Sequence, residues 1–517
     1  MAFLKALVRL PSASAPRKAC VRLTSNVTSG GPVNAEEVKP FDQVPGPSGK
    51  YLWPVIGPAF HFKPLGKLSP ERPDLLFTRL HEQYGSIVRV KLGPWFLLLD
   101  KPEDMEAALR CEGKYPDHFQ IDIMMYYYQK NKKVKPLSLS SGPEWQALRS
   151  KVQQLYTRPR AALYYLPSQN VVADDMVKHF TGKKLSPEEV KDVISRYVTE
   201  GICAIFFNKR LGFLAHGADY HDSQQRFIRE ANNLFIIMSK LYALNLHRFL
   251  PTKDYKTLET ALNFLTGESR RYVTEANEEI ARREMEGTLD PNDPNLLMAM
   301  LASRKLTMEE IYNVMTENIY AGTDATSRTL MLFLYNLARY PDKQQVLYQE
   351  IKSVVGSSDE LTEQHINAMP YLRASFKESM RMIFIIPTGP SRILPEDSII
   401  GGYRIPKGTH ITLSCPRLLK DEKYFENPNS FLPERWLRGS SRQRENHIPS
   451  IALLPFGFGP RICLGRRFAE QAIYLAIVKL LSQFQLSVRP EDQNVDFIYR
   501  IFATLDRPVD ITFTRRY

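Results

Sequence analysis

The chain has 517 residues and a formal net charge of +13 at pH 7. This length allows several domains or one large fold, and a hydrophobic content of 43% is ample for a large core. Five cysteines, an odd number spread far apart, argue against a disulfide framework and for a reducing compartment. A basic excess suits nucleic acid, an anionic membrane or an acidic protein. We predict no nucleic-acid partner, because the sequence has neither zinc-ligand spacing nor a compact arginine tract.

The first 35 residues read as a targeting segment. Residues 1–35 contain no aspartate or glutamate, and residues 1–10 would form a helix with one apolar and one basic face. Such an amphipathic, basic, serine-rich and acid-poor leader is typical of a mitochondrial transit peptide; a disordered basic tail is the alternative. Because Lys5 and Arg9 interrupt the apolar run and a membrane span needs about 20 apolar residues, a membrane anchor is disfavoured.

A proline-rich hinge is predicted over residues 36–50, because residues 45–49 read Pro-Gly-Pro-Ser-Gly, a run of turn-forming residues. Two strands are predicted after it, over 86–93 and 95–100. The first alternates apolar and polar residues, as a half-buried strand does. The folded body is therefore predicted to begin with a small β-rich region.

Residues 112–142 are predicted to form a long irregular stretch that contains an aromatic run at 126–128. A helix is predicted after it, following a Gly-Pro pair. Trp145 and Arg149 are four residues apart, so they share a face of this helix. Alone, this pair of residues would most often be ordinary packing.

A long central helix is predicted in the second half of the chain, after a largely helical region over 174–283. Thr307 and Glu310 form a capping-box sequence, and the helical pattern then runs to about Arg339. Within it, residues 321–327 read Ala-Gly-Thr-Asp-Ala-Thr-Ser, and glycine and β-branched residues are unfavourable in a helix interior. Such local conflicts tend to mark functional sites.

A later helix carries Glu378 and Arg381, which are three residues apart and can form an ion pair. This pattern is common and is usually a surface pair. Arg373 and Lys377 lie one turn apart beside it. Residues 398–414 are predicted to form a hairpin around a Pro-Lys-Gly turn.

The most informative stretch is residues 456–465, a glycine-rich loop with Cys463 at a predicted helix start. Its glycines allow sharp turns and close approach to a flat ligand. The glycine pattern does not match the dinucleotide-binding fingerprint, because the third glycine of that fingerprint would fall at Ile462. The other alternative is that Cys463 is only a small buried apolar residue. The spacing F-x-x-G-x-R-x-C-x-G resembles the haem–thiolate signature of the cytochrome P450 family.

This resemblance implies a mainly α fold with a smaller β-rich region, spanning residues 51–517, with haem b between the long central helix and the cysteine loop. Cys463 would be the axial ligand of the haem iron, pushing electron density toward O–O cleavage. The residues implied to bind the cofactor are Trp145, Arg149, Arg392, Phe456, Arg461 and Cys463. Those implied to form a buried structural triad that holds the cysteine loop are Glu378, Arg381 and Arg435.

The segment in the central helix resembles the oxygen-binding segment of the family, A-G-x-D/E-T-T, which implies catalytic roles for Gly322, Asp324 and Thr326. The residue after Asp324 is Ala325 instead of threonine. Thr326 cannot simply replace the lost hydroxyl, because one residue is about 100° around a helix. Three alternatives are open. Water or a substrate hydroxyl would take the place of the missing threonine hydroxyl, or the Thr323 hydroxyl would contribute from elsewhere on the helix. In the third alternative, the enzyme would catalyse a rearrangement that needs no reductive O–O scission.

Residues 463–470 resemble the C-L-G-R-R-x-A-E sequence of the mitochondrial branch of the family. There, basic residues such as Arg373, Lys377 and Arg466 would face a small acidic [2Fe–2S] ferredoxin, which receives electrons from NADPH through ferredoxin reductase. Solvated surface cations are the alternative interpretation. The resemblance implies a peripheral protein on the matrix side of the inner mitochondrial membrane.

The function expected from this resemblance is monooxygenation of an apolar, sterol-like substrate with O₂; steroids, secosteroids and ecdysteroids are the classes suggested. Xenobiotics are the competing substrate class. A haem–thiolate isomerase or lyase, or a haem protein that binds a ligand without turnover, is the alternative that Ala325 leaves open.

Overall fold

A computed structural model describes residues 38–516, apart from 55, 159, 183, 216–221, 241–245, 251, 291–292, 357, 359 and 438–447. The predicted transit peptide, residues 1–35, lies outside the described residues. The described chain is mainly helical with small β-sheets, which confirms the predicted fold class.

The helices and strands are numbered in chain order. The helices are α1 Pro73–Tyr84, α2 Pro102–Arg110, α3 Asp122–Lys130, α4 Gly142–Tyr156, α5 Leu166–His179, α6 Pro187–Phe206, α7 Asp222–Lys240, α8 Lys253–Met285, α9 Leu296–Ala302, α10 Met308–Arg339, α11 Pro341–Val355, α12 Glu363–Asn367, α13 Pro370–Met382, α14 Cys415–Leu418 and α15 Arg466–Gln483. The strands are β1 Ile87–Lys91, β2 Trp95–Leu99, β3 Ser391–Ile393, β4 Ser398–Ile400, β5 Tyr403–Ile405, β6 His410–Leu413, β7 Phe484–Val488, β8 Phe497–Arg500, β9 Phe502–Leu505 and β10 Ile511–Arg515.

The long helix α10 runs through the main hydrophobic core and begins and ends where the sequence predicts. The Thr307 hydroxyl accepts the Glu310 N–H at 3.2 Å, and the Glu310 carboxylate accepts the Thr307 N–H at 2.7 Å, so the capping box is formed. Helix α6 packs along it. A Cβ atom on Gly322 would lie 2.8 Å from Cδ1 of Ile202, so the glycine allows this close approach.

The β-rich region is built around a four-stranded sheet in the order β1-β2-β6-β3, in which β2 and β6 are parallel. The two predicted N-terminal strands are confirmed as β1 and β2. The predicted hairpin around residues 406–408 is wrong: β4 pairs with β5 and turns at Gly401 and Gly402, while β6 joins the larger sheet. Both glycines have positive φ angles, 55° and 82°, which suit a tight two-residue turn.

The irregular stretch predicted over 112–142 is also partly wrong, because it contains α3 and a single 3₁₀ turn, Leu137–Leu139. One face of α3 is buried, and this face includes Ile123, Met124, Tyr127 and Tyr128. Burial of that face stabilises a helix that the local sequence alone does not indicate. The aromatic run is therefore part of the core.

Among the described helices, none combines the length and the apolar character required to cross a bilayer.

Candidate active site

The cysteine loop is a sharply turned segment between a 3₁₀ turn, Gly459–Arg461, and the first residues of α15. Gly457 and Gly459 have φ angles of 78° and 64°, which side-chain-bearing residues rarely adopt. The Cys463 N–H donates to the Phe456 carbonyl at 2.9 Å, which closes the loop. The backbone thereby presents the cysteine side chain at the tip of the turn.

The Cys463 thiol faces an internal space. Cys463 has solvent-accessible surface, yet protein atoms surround it on most sides. This burial raises the pKa of the thiol. The backbone N–H groups of Gly465 and Arg466 and the guanidinium of Arg149 act in the opposite direction. A metal ion in this space would deprotonate a coordinating thiol, and thiolates are soft ligands that suit iron and other transition metals.

Three arginines from different parts of the chain meet around this loop. Arg149 on α4 donates to the Ile462 carbonyl at 2.7 Å, and Arg392 on β3 donates to the Phe458 carbonyl at 2.8 Å. Arg461 donates to two carbonyls of the 112–142 region, those of residues 116 and 140, and its guanidinium lies 3.9 Å from the centroid of the Trp145 ring. The residues predicted from W-x-x-x-R and from the loop are thus brought together.

The charged state of this cluster is incompletely stabilised by protein groups. Burial and the nearby Arg392 and Arg149 together lower the pKa of Arg461 to about 10, although Asp117 and Glu317 act in the opposite direction. Arg392 has one close acidic partner, Glu112, at 2.6 Å. An anionic ligand such as a carboxylate would therefore be stabilised here, because it would offset the burial of the guanidinium groups.

The predicted triad side chains contact one another behind the loop. Glu378 accepts two hydrogen bonds from Arg381, both at 2.9 Å, and one from Arg435 at 3.1 Å. The Trp436 indole N–H also donates to this carboxylate, at 2.8 Å, a partner that the sequence analysis missed. A buried carboxylate with this many donors keeps its charge paired, and the contacts tie α13 to the segment that precedes the cysteine loop.

On α10, a stripe of residues retains accessible surface, whereas Ile319, Thr323 and Thr326 beside it are buried; Asn318, Gly322 and Arg328 also retain some accessible surface. This stripe runs through Glu317, Ala321, Ala325 and Thr329, each four residues apart. Small side chains at its centre leave room beside the helix. The residues around Cys463 and this stripe therefore suit a flat ligand with a metal on one side and two anionic groups at its edge, and a haem fits this set of donors.

The predicted catalytic residues lie on different flanks of α10. Asp324 is buried, and its Oδ2 atom accepts a hydrogen bond from Nε of Arg328 at 2.7 Å. Burial raises the pKa of Asp324, while Arg328 and Lys191 lower it. Thr326 is also buried, two residues or about 200° around the helix from Asp324, and so on another flank.

The two remaining threonines of the segment differ in position. Thr323 is fully buried, and its hydroxyl has no hydrogen-bond partner among the described residues. Thr329 lies on the accessible stripe, and its hydroxyl donates to the Ala325 carbonyl at 2.7 Å. Arg328 and Thr329 were not among the predicted residues, although their four-residue spacing from Asp324 and Ala325 places each pair on one face of a helix.

On the other side of the cysteine loop lies a surface cavity of about 1220 Å³. Its lining includes Arg373, Lys377 and Arg466, the three cations predicted to face a protein partner. Lys377 and Arg466 are exposed, whereas Arg373 is partly buried and donates to the carbonyls of residues 366 and 367. These cations therefore border one surface that reaches the back of the loop through Phe456.

Comparison with known proteins places these features in a family. A sequence model described as Cytochrome P450 matches residues 47–513. Cytochrome P450 27C1 of Danio rerio is 31% identical, covering 81% of this chain and 79% of that protein. The mitochondrial 1,25-dihydroxyvitamin D(3) 24-hydroxylase of Mus musculus is 28% identical over 100% of this chain and 98% of that protein. A Drosophila melanogaster protein named "Probable cytochrome P450 12e1, mitochondrial" is 28% identical over 94% of each chain.

Proposed function

The chain belongs to the cytochrome P450 family and is a monooxygenase of that family, and on this premise we propose that it acts in mitochondria and hydroxylates an apolar, sterol-like substrate with electrons from a ferredoxin. The reaction consumes O₂, two electrons and two protons, and it yields an alcohol and water. The observation that carries the proposal is the Cys463 thiol, which faces an internal space within a closed glycine loop.

The protein groups suited to hold a haem b are the thiol and the arginine cluster. Cys463 would ligate the iron, and Arg149, Arg392 and Arg461 would bind the two propionates. Trp145 and Phe456 support this arrangement, the first by stacking under Arg461 and the second by closing the loop on Cys463. A bound haem supplies the activation of dioxygen, and the Cys463 thiolate supplies the electron density that favours O–O cleavage.

The triad and the central helix would serve this site from its two sides. Glu378, Arg381 and Arg435 keep the segment before the cysteine loop in place, so that the thiol is oriented before a ligand binds. On α10, Asp324, positioned by its ion pair with Arg328, would pass protons from bulk water toward the substrate side. Gly322 would allow the close approach of α6, and Thr326 would support the segment from a buried flank.

Proton delivery at Ala325 would use water held by Thr329. The Thr329 hydroxyl is the polar group one turn from Ala325 on the same accessible stripe. Ala325 itself supports a second candidate function, a haem–thiolate isomerase or lyase, because such a reaction needs no net proton delivery. The ion-paired Asp324 supports the monooxygenase, because a buried carboxylate with a cationic partner suits a proton relay.

The substrate class rests on the named relatives and on the apolar core around α10. One relative is named as a hydroxylase of 1,25-dihydroxyvitamin D(3), a secosteroid. A steroid, secosteroid or ecdysteroid is therefore the proposed substrate, and a xenobiotic is the competing class.

The electron donor would be an acidic [2Fe–2S] ferredoxin, which receives electrons from NADPH through ferredoxin reductase. Arg373, Lys377 and Arg466 border the surface cavity behind the cysteine loop. Basic charge at this position would steer an acidic partner to the shortest path toward the thiolate, with strong salt dependence.

The proposed location is the matrix side of the inner mitochondrial membrane, with peripheral attachment. Two relatives are named mitochondrial, and residues 1–35 have the composition of a transit peptide. Large apolar side chains that would contact a membrane surface are exposed at Trp53, Leu65, Phe249 and Leu250.

Reconstitution tests the proposal. The chain without residues 1–35 is loaded with haem and combined with ferredoxin, ferredoxin reductase and NADPH, and oxygen uptake and product are followed over a panel of sterols, secosteroids and xenobiotics. Substrate-dependent uptake with a hydroxylated sterol-like product is expected. Product without NADPH would instead indicate an isomerase or lyase, and no product from any compound would indicate a binding protein. Cys463→Ala is the control, and it must abolish the long-wavelength absorbance band of the reduced carbon monoxide complex.

A further inference from the structure

Glu317 is an acidic residue on the accessible stripe of α10, and the proposed reaction does not use it. It lies one helical turn before Ala321 and two turns before Ala325, and all three retain accessible surface. The flanking residues Thr316 and Ile319 are buried. Because these three residues lie within about 80° of one another around the helix, Glu317 faces the same internal space as the small residues above the cysteine loop.

The carboxylate is held by hydrogen-bond donors of one neighbouring turn. Its Oε1 atom accepts the Ser138 N–H at 3.0 Å, from the single 3₁₀ turn Leu137–Leu139. Within the part of the chain that the structure describes, no lysine, arginine or histidine lies within ion-pair distance of it. Burial raises the pKa of Glu317, whereas the Ser138 hydroxyl, the N–H groups of Ser138 and Leu137 and the charge of Arg461 lower it.

The walls beside Glu317 are aromatic. Tyr128 on α3 and Tyr320 on α10 are both buried, and the charge of Glu317 contributes to raising the pKa of each after burial itself. The Tyr320 ring lies 6.0 Å from Phe235 of α7, which lies 5.4 Å from Phe502 of β9. One carboxylate therefore stands at the border of a largely apolar enclosure formed by several elements.

We propose that Glu317 is the polar anchor of the substrate pocket and accepts a hydrogen bond from a hydroxyl or ammonium group on an otherwise apolar substrate. This inference rests on the proposed function, because it assumes a substrate beside the stripe of α10. A substrate analogue without the hydroxyl or ammonium group would leave this buried acceptor unpaired. Such an analogue should therefore bind more weakly than the substrate. A hydrogen bond to a charged group corresponds to a binding preference of about 10-fold to 100-fold.

A purely structural role is the alternative that the experiment must separate. In that role, Glu317 would only hold the Leu137–Leu139 turn against α10. Glu317→Gln retains a side-chain oxygen that can accept the Ser138 N–H, so it preserves this contact and removes the charge. If Glu317 has only a structural role, Glu317→Gln should leave the ligand preference unchanged. If Glu317 is the anchor, Glu317→Gln should remove the preference of the protein for a ligand with a cationic donor.

The test uses matched probes whose binding does not depend on the identity of the substrate. N-alkylimidazoles bind the iron of a haem–thiolate protein through the ring nitrogen and shift its absorbance, so a spectral Kd can be measured. A series of ω-aminoalkylimidazoles is compared with alkylimidazoles of equal chain length. The holoprotein is expected to prefer the amino probe at least about 10-fold at one chain length, and Glu317→Gln is expected to abolish this preference.

Control variants keep the outcome interpretable. Glu309→Gln, on the same helix and exposed with Arg270 as its partner, is expected to leave the preference unchanged. Glu317→Asp retains the charge on a shorter side chain, and it is expected to move the optimum to a longer probe, which also provides a second variant if Glu317→Gln does not fold.

Two results would overturn the inference while leaving the proposed function intact. These are a normal haem–thiolate spectrum with no amino preference at any chain length, or a preference that survives in Glu317→Gln. A protein that shows no haem–thiolate spectrum at all would contradict the proposed function itself, and with it this inference.

Discussion

The Nε atom of Arg328 donates a 2.7 Å hydrogen bond to the Oδ2 atom of Asp324, one turn earlier on α10. The carboxylate is 3% exposed, so it depends on this guanidinium to keep its charge within the helix-packed interior. The pair also holds the carboxylate on one flank of the helix, beside the stripe that faces the internal space. Arg328 is therefore a positioning residue for the proposed proton relay.

Arg328→Met is expected to lower coupling, the fraction of NADPH electrons recovered in product. Burial already raises the pKa of Asp324, and loss of the cation would raise it further. A smaller fraction of the carboxylate is then ionised at a given pH, so the acidic limb of the coupling profile moves to higher pH. Product and peroxide measured across the pH range check this, and Arg328→Lys is expected to restore part of the coupling.

Asp324→Asn removes the titratable carboxylate of the same proposed proton relay. Removal of a positioned proton-transfer group is expected to lower turnover by about 10²-fold or more. The absorbance spectrum of the bound haem should not change, because Asp324 contacts none of the proposed haem-binding residues. Turnover equal to the unmodified protein would show that protons take another path. Asp342→Asn, with a side chain 69% exposed on α11, is the matched control.

A second prediction separates the two threonines near Ala325. Thr329→Val is expected to increase peroxide release several-fold, because it removes the hydroxyl that donates to the Ala325 carbonyl on the accessible stripe. Thr326→Val is expected to have a smaller effect on coupling, because Thr326 is 8% exposed on another flank. Peroxide formed per NADPH consumed is the measurement. A larger effect at Thr326 would assign the missing hydroxyl to that residue.

A third prediction concerns the cluster behind the cysteine loop. Glu378→Ala is expected to lower the free energy of unfolding by about 3–5 kcal/mol, because it removes the carboxylate that pairs with the buried charge of Arg381 and also removes the Glu378–Arg435 ion pair. Denaturant unfolding and haem content measure the effect. Glu396→Ala, at an exposed position, is the control and should be nearly neutral. A loss below about 1 kcal/mol would mean that water or another acid replaces Glu378.

A fourth prediction concerns the surface cavity. Charge reversal of Lys377 or Arg466 is expected to raise the KM for an acidic ferredoxin about 10-fold at low salt and to flatten its salt dependence. The spectral Kd of the substrate should stay the same, because these side chains lie behind the cysteine loop. Lys256→Glu, an exposed cation on α8, is the control. Equal KM values for all three variants would place the docking surface elsewhere.

A fifth prediction is the pH dependence of stability at Glu317. Burial raises the pKa of this carboxyl in the folded protein, so the folded state holds the proton to higher pH than the unfolded chain. The associated stability is present at low pH and is lost as pH rises through the folded-state pKa. Glu317→Gln cannot ionise, so its free energy of unfolding should increase relative to the unmodified protein as pH rises from acidic to neutral. A difference that is constant with pH would contradict this.

Local sequence signals predicted the parts of the protein that neighbouring residues specify. The capping box at Thr307 and Glu310 and the end of α10 at Arg339 depend on contacts within one or two turns, and both were predicted correctly. The cysteine loop was recognised from ten consecutive residues. By contrast, α3 depends on burial of its apolar face, and the Gly401-Gly402 turn depends on which strands pair, so both were missed.

The sequence by itself determined which chemical groups are present and their angular spacing along α10, because helix geometry is regular. It could not determine which face of that helix is open, because this depends on α6 and the other elements packed around it. Tertiary structure alone placed Glu317 and Thr329 on the accessible stripe and Thr326 on a buried flank. It also brought Trp436 to Glu378, a contact between residues 58 positions apart. Such contacts arise from packing across the whole chain, which short-range patterns do not encode.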